Sequence, residues 1–217
     1  MKYRAVIFDL WQTLVPWDAD EANRFYDAMA EAVGVESEPF REAWFAGRPH
    51  RETGPIVEHL REILAGLGAR GDVDDLVAMR RDWTKRTLRP RPEALPTLEE
   101  LRSRGHLLGM ISVCAQEVPQ VWDETLLGGK FDATVFSCDV GVSKPHPRIY
   151  EIACKRLGVE AGECLFVGDG ANDELPGAER AGMAALQLRA PGEELTESGK
   201  AWTGPSIERL SEVLDLV

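Results

Sequence analysis

Five short apolar runs recur along the chain: Arg4 to Phe8, Leu107 to Ile111, Ala133 to Phe136, Cys164 to Val167 and Ala184 to Leu188. Runs of this length predict buried strands. Helical spacing separates most of them. Pro96 to Arg104 carries Leu98 and Leu101 and stops at Gly105. Pro147 to Leu157 carries Ile149, Ile152, Ala153 and Leu157 and stops at Gly158, and Glu174 to Ala181 stops at Gly182. Strand–helix alternation of this kind predicts an α/β fold, a parallel sheet covered by helices. The span between the first two strands is too long for one crossover. Three apolar sets return there at the helix period: Ala22, Phe25, Tyr26, Met29, Ala30 and Val33; Ile56, Val57, Leu60, Ile63, Leu64 and Leu67; Val73, Leu76, Val77 and Trp83, with Arg80 as the polar break. They predict a helical bundle inserted after the first strand, with linkers at Pro16 to Asp18 and Arg89 to Pro92. The core is thus expected at 1–15 and 92–217 and the inserted bundle at 16–91.

Composition narrows the partners. The chain has 217 residues, 44% hydrophobic and 29% charged, which is ordinary for a globular protein of one domain plus an insertion. Its 25 basic and 37 acidic side chains sum to −12. That charge repels nucleic-acid phosphates and anionic lipid, so neither is an expected partner. A small anionic substrate would need cations gathered locally. No apolar run approaches the roughly 20 residues that span a bilayer, and Met1-Lys2-Tyr3-Arg4 leads straight into a strand without a signal-peptide pattern. The expected location is cytoplasmic and the expected state a monomer or homodimer. Cys114, Cys138, Cys154 and Cys164 form no Cys-x-x-Cys pair and read as reduced core thiols.

Ligands of open parallel sheets bind beyond the carboxyl ends of the strands. Those ends carry Asp9, Ser112, the segment Ser137 to Lys144, and Asp169. A single Asp at a strand end is commonplace as a cap. Two carboxylates, a hydroxyl and an ammonium at one edge, on four strands in order, are not. Asp9 is expected to face solvent there.

These positions carry a resemblance. Phe8-Asp9-Leu10-Trp11-Gln12-Thr13-Leu14, Met110-Ile111-Ser112, Ser143-Lys144-Pro145-His146-Pro147-Arg148-Ile149-Tyr150 and Val167-Gly168-Asp169-Gly170-Ala171-Asn172-Asp173 resemble the four motifs of the haloacid dehalogenase superfamily of hydrolases. The third is the most specific. The resemblance covers about 1–15 and 92–190, and the 16–91 insertion is similar to that family's helical cap. It implies a Rossmann-like, doubly wound parallel-sheet core with an all-helical cap. It also implies that Asp9 is a nucleophile forming an aspartyl-phosphate. Mg²⁺ would be held by Asp9, the Trp11 carbonyl and Asp169, with Asp173 adding a ligand or orienting water. Ser112 and the neighbouring Val113 would bind phosphate oxygens, Lys144 would offset charge, and Thr13 would steady the loop. His146 reads as structural.

One departure matters. Phosphatases of the family usually carry a second Asp two residues after the nucleophile, which protonates the leaving alkoxide. Here that residue is Trp11. Family members that cleave carbon–halogen bonds have an aromatic residue there, yet lack the acidic fourth motif and use no metal. Three readings therefore stand: a Mg²⁺-dependent phosphatase of a small phosphomonoester, a metal-independent 2-haloacid dehalogenase, and a binding or regulatory module with impaired turnover. In the insertion, Arg48, His50 and Arg51 are candidates to reach an anionic substrate, against the alternative of a solvated helix end. Asp18 or Asp20 is a candidate for the missing acid. Trp17 and Trp44 are candidate cavity linings or plain core.

Overall fold

The computed structural model describes residues 2–217. Six strands form one parallel sheet: β1 (Ala5–Asp9), β2 (Leu107–Ser112), β3 (Ala133–Phe136), β4 (Cys164–Gly168), β5 (Ala184–Leu188) and β6 (Ser206–Ile207). Their spatial order is β3-β2-β1-β4-β5-β6, and every pairing is parallel. The order reverses at β1, so β1 and β4 flank the point where ligands of such sheets bind. β1 and β4 are buried along their whole length, as strands covered on both faces must be.

The helices are α1 (Ala19–Ala32), α2 (Ser37–Ala46), α3 (Arg48–Thr53), α4 (Ile56–Leu67), α5 (Val73–Thr87), α6 (Ala94–Ser103), α7 (Glu117–Val121), α8 (Ser137–Val140), α9 (Pro147–Leu157), α10 (Glu174–Arg180) and α11 (Glu197–Ala201). Local chemistry sets their ends. Asp18 caps α1, accepting from the Glu21 N–H at 2.8 Å. α9 starts at Pro147, with His146 Nδ1 accepting from the Arg148 N–H, and stops where Gly158 turns left-handed at φ 67°. His146 is thus a helix cap.

Three apolar clusters hold the molecule. One fills each face of the sheet. The third, around Phe25, Met29, Phe40, Trp44, Leu60, Leu76 and Trp83, lies among α1, α2, α4 and α5, with Ala115 its one member from outside that segment. The four cysteines are buried and free. No helix among the described residues is long and apolar enough to cross a membrane.

Candidate active site

Each strand end contributes as its sequence requires. β1 delivers Asp9, which is buried (5% exposed) and ion-paired with Lys144, not facing solvent as expected from the sequence. Lys144, on the loop before α9, also meets Glu174 Oε2 at 2.5 Å. Burial alone would depress the Lys144 ammonium, but the two carboxylates hold it above its ordinary value. β4 delivers Asp169, whose pKa burial and the Asp9 charge raise to about 6.

Glu174 is the residue that sequence reasoning missed. It is 1% exposed, and its carboxylate oxygen lies with those of Asp9 and Asp169 within 4.8 Å of one another. Burial, and then the Asp9 charge, raise its pKa well above the carboxylate range. Two glycines place it. A Cβ on Gly168 would meet Glu174 Oε1 at 2.1 Å, so only glycine leaves room for that carboxylate. Gly170, left-handed at φ 96°, donates its N–H to the same oxygen at 3.0 Å. Asp173, the residue proposed from the sequence to add a ligand or orient water, is not brought into this cluster. It is left-handed at φ 52° and exposed.

The loop after β1 is tied down tightly. Arg91 donates to the carbonyls of Thr13 (2.8 Å) and Gln12 (2.7 Å) and pairs with Glu193 at 2.5 Å. Gln12 itself is left-handed at φ 59°. Trp11 stands edge-on to Trp17 (5.4 Å), Trp17 edge-on to Trp83 (5.9 Å), and Trp83 stacks on Phe25 (4.8 Å). Trp11 thus begins an aromatic chain from the sheet edge into the helical insertion. Its carbonyl accepts no hydrogen bond among the described residues. Thr13 Oγ1, Ser112 Oγ and Asp169 Oδ2 are buried without partners. Ser112 sits behind the next residue, Val113, which lines the cavity.

That cavity, of about 650 Å³, runs from Asp9, Lys144, Asp169 and Glu174 to the insertion, where Trp44, Arg51 and Arg80 line it. Arg48 also lines it but is engaged by Glu52 at 2.6 Å. His50 points elsewhere, facing Glu62 on the surface. Asp18 and Asp20 are exposed and do not line the cavity, so neither stands in for the missing acid. Arg80, read from the sequence only as a polar break, is buried, pairs with Glu117 of α7, and has Trp44 and Trp83 under its guanidinium. The pair joins insertion to core.

Comparison with known proteins agrees with this architecture. The family model described as haloacid dehalogenase-like hydrolase matches residues 3–182. A glyceraldehyde 3-phosphate phosphatase of Methanopyrus kandleri is 31% identical over 99% of this chain and 97% of its own. The (S)-2-haloacid dehalogenase 4A of Burkholderia cepacia is 37% identical over 46% of this chain and 44% of its own. The structure of a HAD phosphatase from Thermococcus onnurineus superposes with a TM-score of 0.71 at 23% identity, covering 98% of this chain and 97% of that one, which shows the shared fold.

Proposed function

The chain belongs to the haloacid dehalogenase-like hydrolases, and on that premise we propose that it is a Mg²⁺-dependent phosphatase of a small phosphomonoester. The observation that carries this reading is the convergence of Asp9, Asp169 and Glu174 around Lys144. Ionised, three carboxylates against one ammonium leave a buried site with two negative charges in excess, which a hard divalent cation matches. The donor set fits such an ion: all its atoms are oxygens, and Asp169 Oδ2 and the Trp11 carbonyl are without partners. Asp9, Asp169, Glu174 and the Trp11 carbonyl would hold it. When bound, Mg²⁺ offsets the repulsion between a carboxylate nucleophile and a phosphate dianion.

The protein's own groups do the rest. A carboxylate oxygen of Asp9 attacks phosphorus, and the ester P–O bond breaks with its electron pair going to the leaving oxygen. The aspartyl-phosphate forms as an alkoxide or phenolate departs and takes its proton from water. Water then attacks that phosphorus, releasing inorganic phosphate and restoring Asp9. Lys144 offsets charge as it builds on the phosphoryl oxygens. Ser112, one residue before Val113 at the cavity wall, leaves its Oγ without a partner among the described residues. Trp11 gives the leaving oxygen no proton.

Trp11 also favours the dehalogenase reading, since halide needs no proton to leave. The charge balance argues against it. A metal-free reaction would leave Asp169 and Glu174, two buried carboxyl groups beside the nucleophile, with no cation but Lys144 to answer them. The test sets hydrolysis of p-nitrophenyl phosphate in Mg²⁺ against chloride release from 2-chloropropionate in EDTA. Phosphate release supports the proposal, and chloride release in EDTA overturns it.

Metal binding separates the two candidate acids of the fourth motif. Calorimetric titration should show Mg²⁺ affinity lowered by more than about 10–100-fold in Asp169→Asn and Glu174→Gln, beyond the usual loss from an outer-shell partner. Asp173→Asn should bind as wild type does. Affinity should also fall as pH drops below about 6, where Asp169 takes up the proton that a ligand must lose. A large loss in Asp173→Asn with none in Glu174→Gln would reverse the assignment.

Leaving-group dependence tests Trp11. General acid help is worth about 10²–10⁴-fold. The wild type should therefore favour p-nitrophenyl phosphate over an alkyl phosphate by that order. Trp11→Asp, checked first by thermal melt because the indole belongs to the aromatic chain, should raise alkyl-ester turnover more than aryl-ester turnover. A folded variant with no such gain removes Trp11 as the reason for slow alkyl-ester cleavage.

A further inference from the structure

Where the insertion lines the cavity, Arg51 is buried (6% exposed) with its guanidinium 4.0 Å above the Trp44 ring. Its Nη1 donates to the Trp44 carbonyl. No carboxylate pairs with it among the described residues, and its Nε and Nη2 have no partner there. The neighbouring cations are already answered: Arg80 by Glu117 and Arg48 by Glu52. One positive charge is therefore left over, in a place where an unanswered charge is expensive. Burial, and then the Arg80 charge, push the Arg51 pKa down to about 10.

Donors also outnumber acceptors here. Among the described residues Arg80 Nε and Nη1, Trp44 Nε1 and Trp83 Nε1 are buried donors without partners, against Glu117 Oε2 as the one unpartnered atom that can only accept. The His59 ring and Thr84 Oγ1, also unpartnered, can each donate as well as accept and do not change the balance. A ligand that supplies only acceptors and one negative charge answers both imbalances. We propose that Arg51, with Arg80 beside it over Trp44, forms a carboxylate subsite, so that the substrate is a small phosphomonoester bearing a carboxylate at the end opposite its phosphate. This rests on the phosphatase reading for the other end of the cavity. A planar guanidinium fork matches a carboxylate, and one charge on the ligand equals the one left over. A second phosphate dianion would bring more charge than this end leaves unanswered.

The experiment compares two esters with the same three-carbon skeleton, 3-phosphoglycerate and glyceraldehyde 3-phosphate, which differ in carboxylate against aldehyde. The wild type should favour the acid in kcat/KM by at least about tenfold, the discrimination of one charge-assisted hydrogen bond. Arg51→Met keeps an apolar stem over Trp44 and should bring the ratio near one, while Arg51→Lys, which keeps the charge, should retain part of it. A wild-type ratio of one, or a preference for the aldehyde, while p-nitrophenyl phosphate is hydrolysed would overturn the subsite and leave the phosphatase reading standing. If no ester is hydrolysed, that reading fails instead, and calorimetric binding of the same two compounds decides the subsite. An Arg51-dependent preference for the acid supports it, and equal binding overturns it.

Discussion

Asp9→Asn should abolish turnover, lowering kcat by about 10⁴-fold or more, the scale on which removing a covalent nucleophile acts. Asp9 ends β1, whose backbone is paired on both sides, with β2 and β4, so the sheet does not depend on the charge of this side chain. The asparagine amide is close to isosteric and can still accept from Lys144. Lys144 keeps Glu174 as an ionic partner. The variant should therefore fold, with an unchanged circular dichroism spectrum. It should also bind Mg²⁺ more weakly, having lost one of three clustered carboxylates. One probe distinguishes the nucleophile from a mere ligand. Wild-type protein quenched in acid during turnover should carry acid-stable phosphate at Asp9, detectable as a mass increase on the peptide containing it. Wild-type rates in Asp9→Asn would falsify covalent catalysis through this residue.

The five longer strands and α9 were legible because their signals are local: short apolar runs, a Pro at the helix start, a Gly at its end. β6 was not, since two residues carry no periodicity. Asp9, Ser112, Lys144 and Asp169 were legible as strand-end residues because parallel sheets present their carboxyl ends together. Choosing Glu174 over Asp173 needed the backbone. The two acids are adjacent, and left-handed turns at Asn172 and Asp173 decide which of them faces in. Arg80 showed only as a break in an apolar stripe. Its partner, Glu117, lies on an element of the core, and nothing local to either residue signals that pairing. Arg51 stood in a cluster with Arg48 and His50 that composition could not divide. The fold does so by burying Arg51, pairing Arg48 with Glu52 and turning His50 outward.

Lys144→Ala should be the most destabilising single change at the site, by about 3–5 kcal/mol, the scale for removing one partner of a buried ionic cluster. Lys144 is 5% exposed and answers both Asp9 and Glu174. Without it three carboxylates face one another with no cation among them. For a protein of this size each kcal/mol shifts the melting temperature by roughly 2–4 °C, so the melt in EDTA should fall by roughly 6–20 °C. Two controls identify the cause. Lys144→Met fills the aliphatic volume, so if charge dominates it should be nearly as unstable as alanine, whereas a cavity would spare it. The pH dependence gives the second. Asp169 and Glu174 already have folded-state pKa values above their unfolded ones. Such groups contribute stability that is present at low pH and lost as pH rises through the folded value. Removing Lys144 raises them further, so the deficit of the variant against wild type should be small near pH 4 and grow toward pH 8. Mg²⁺ should recover part of it at pH 8. A deficit that is the same at both ends of that range, or a methionine variant as stable as wild type, would mean that Lys144 is held by packing and that the carboxylates do not depend on its charge.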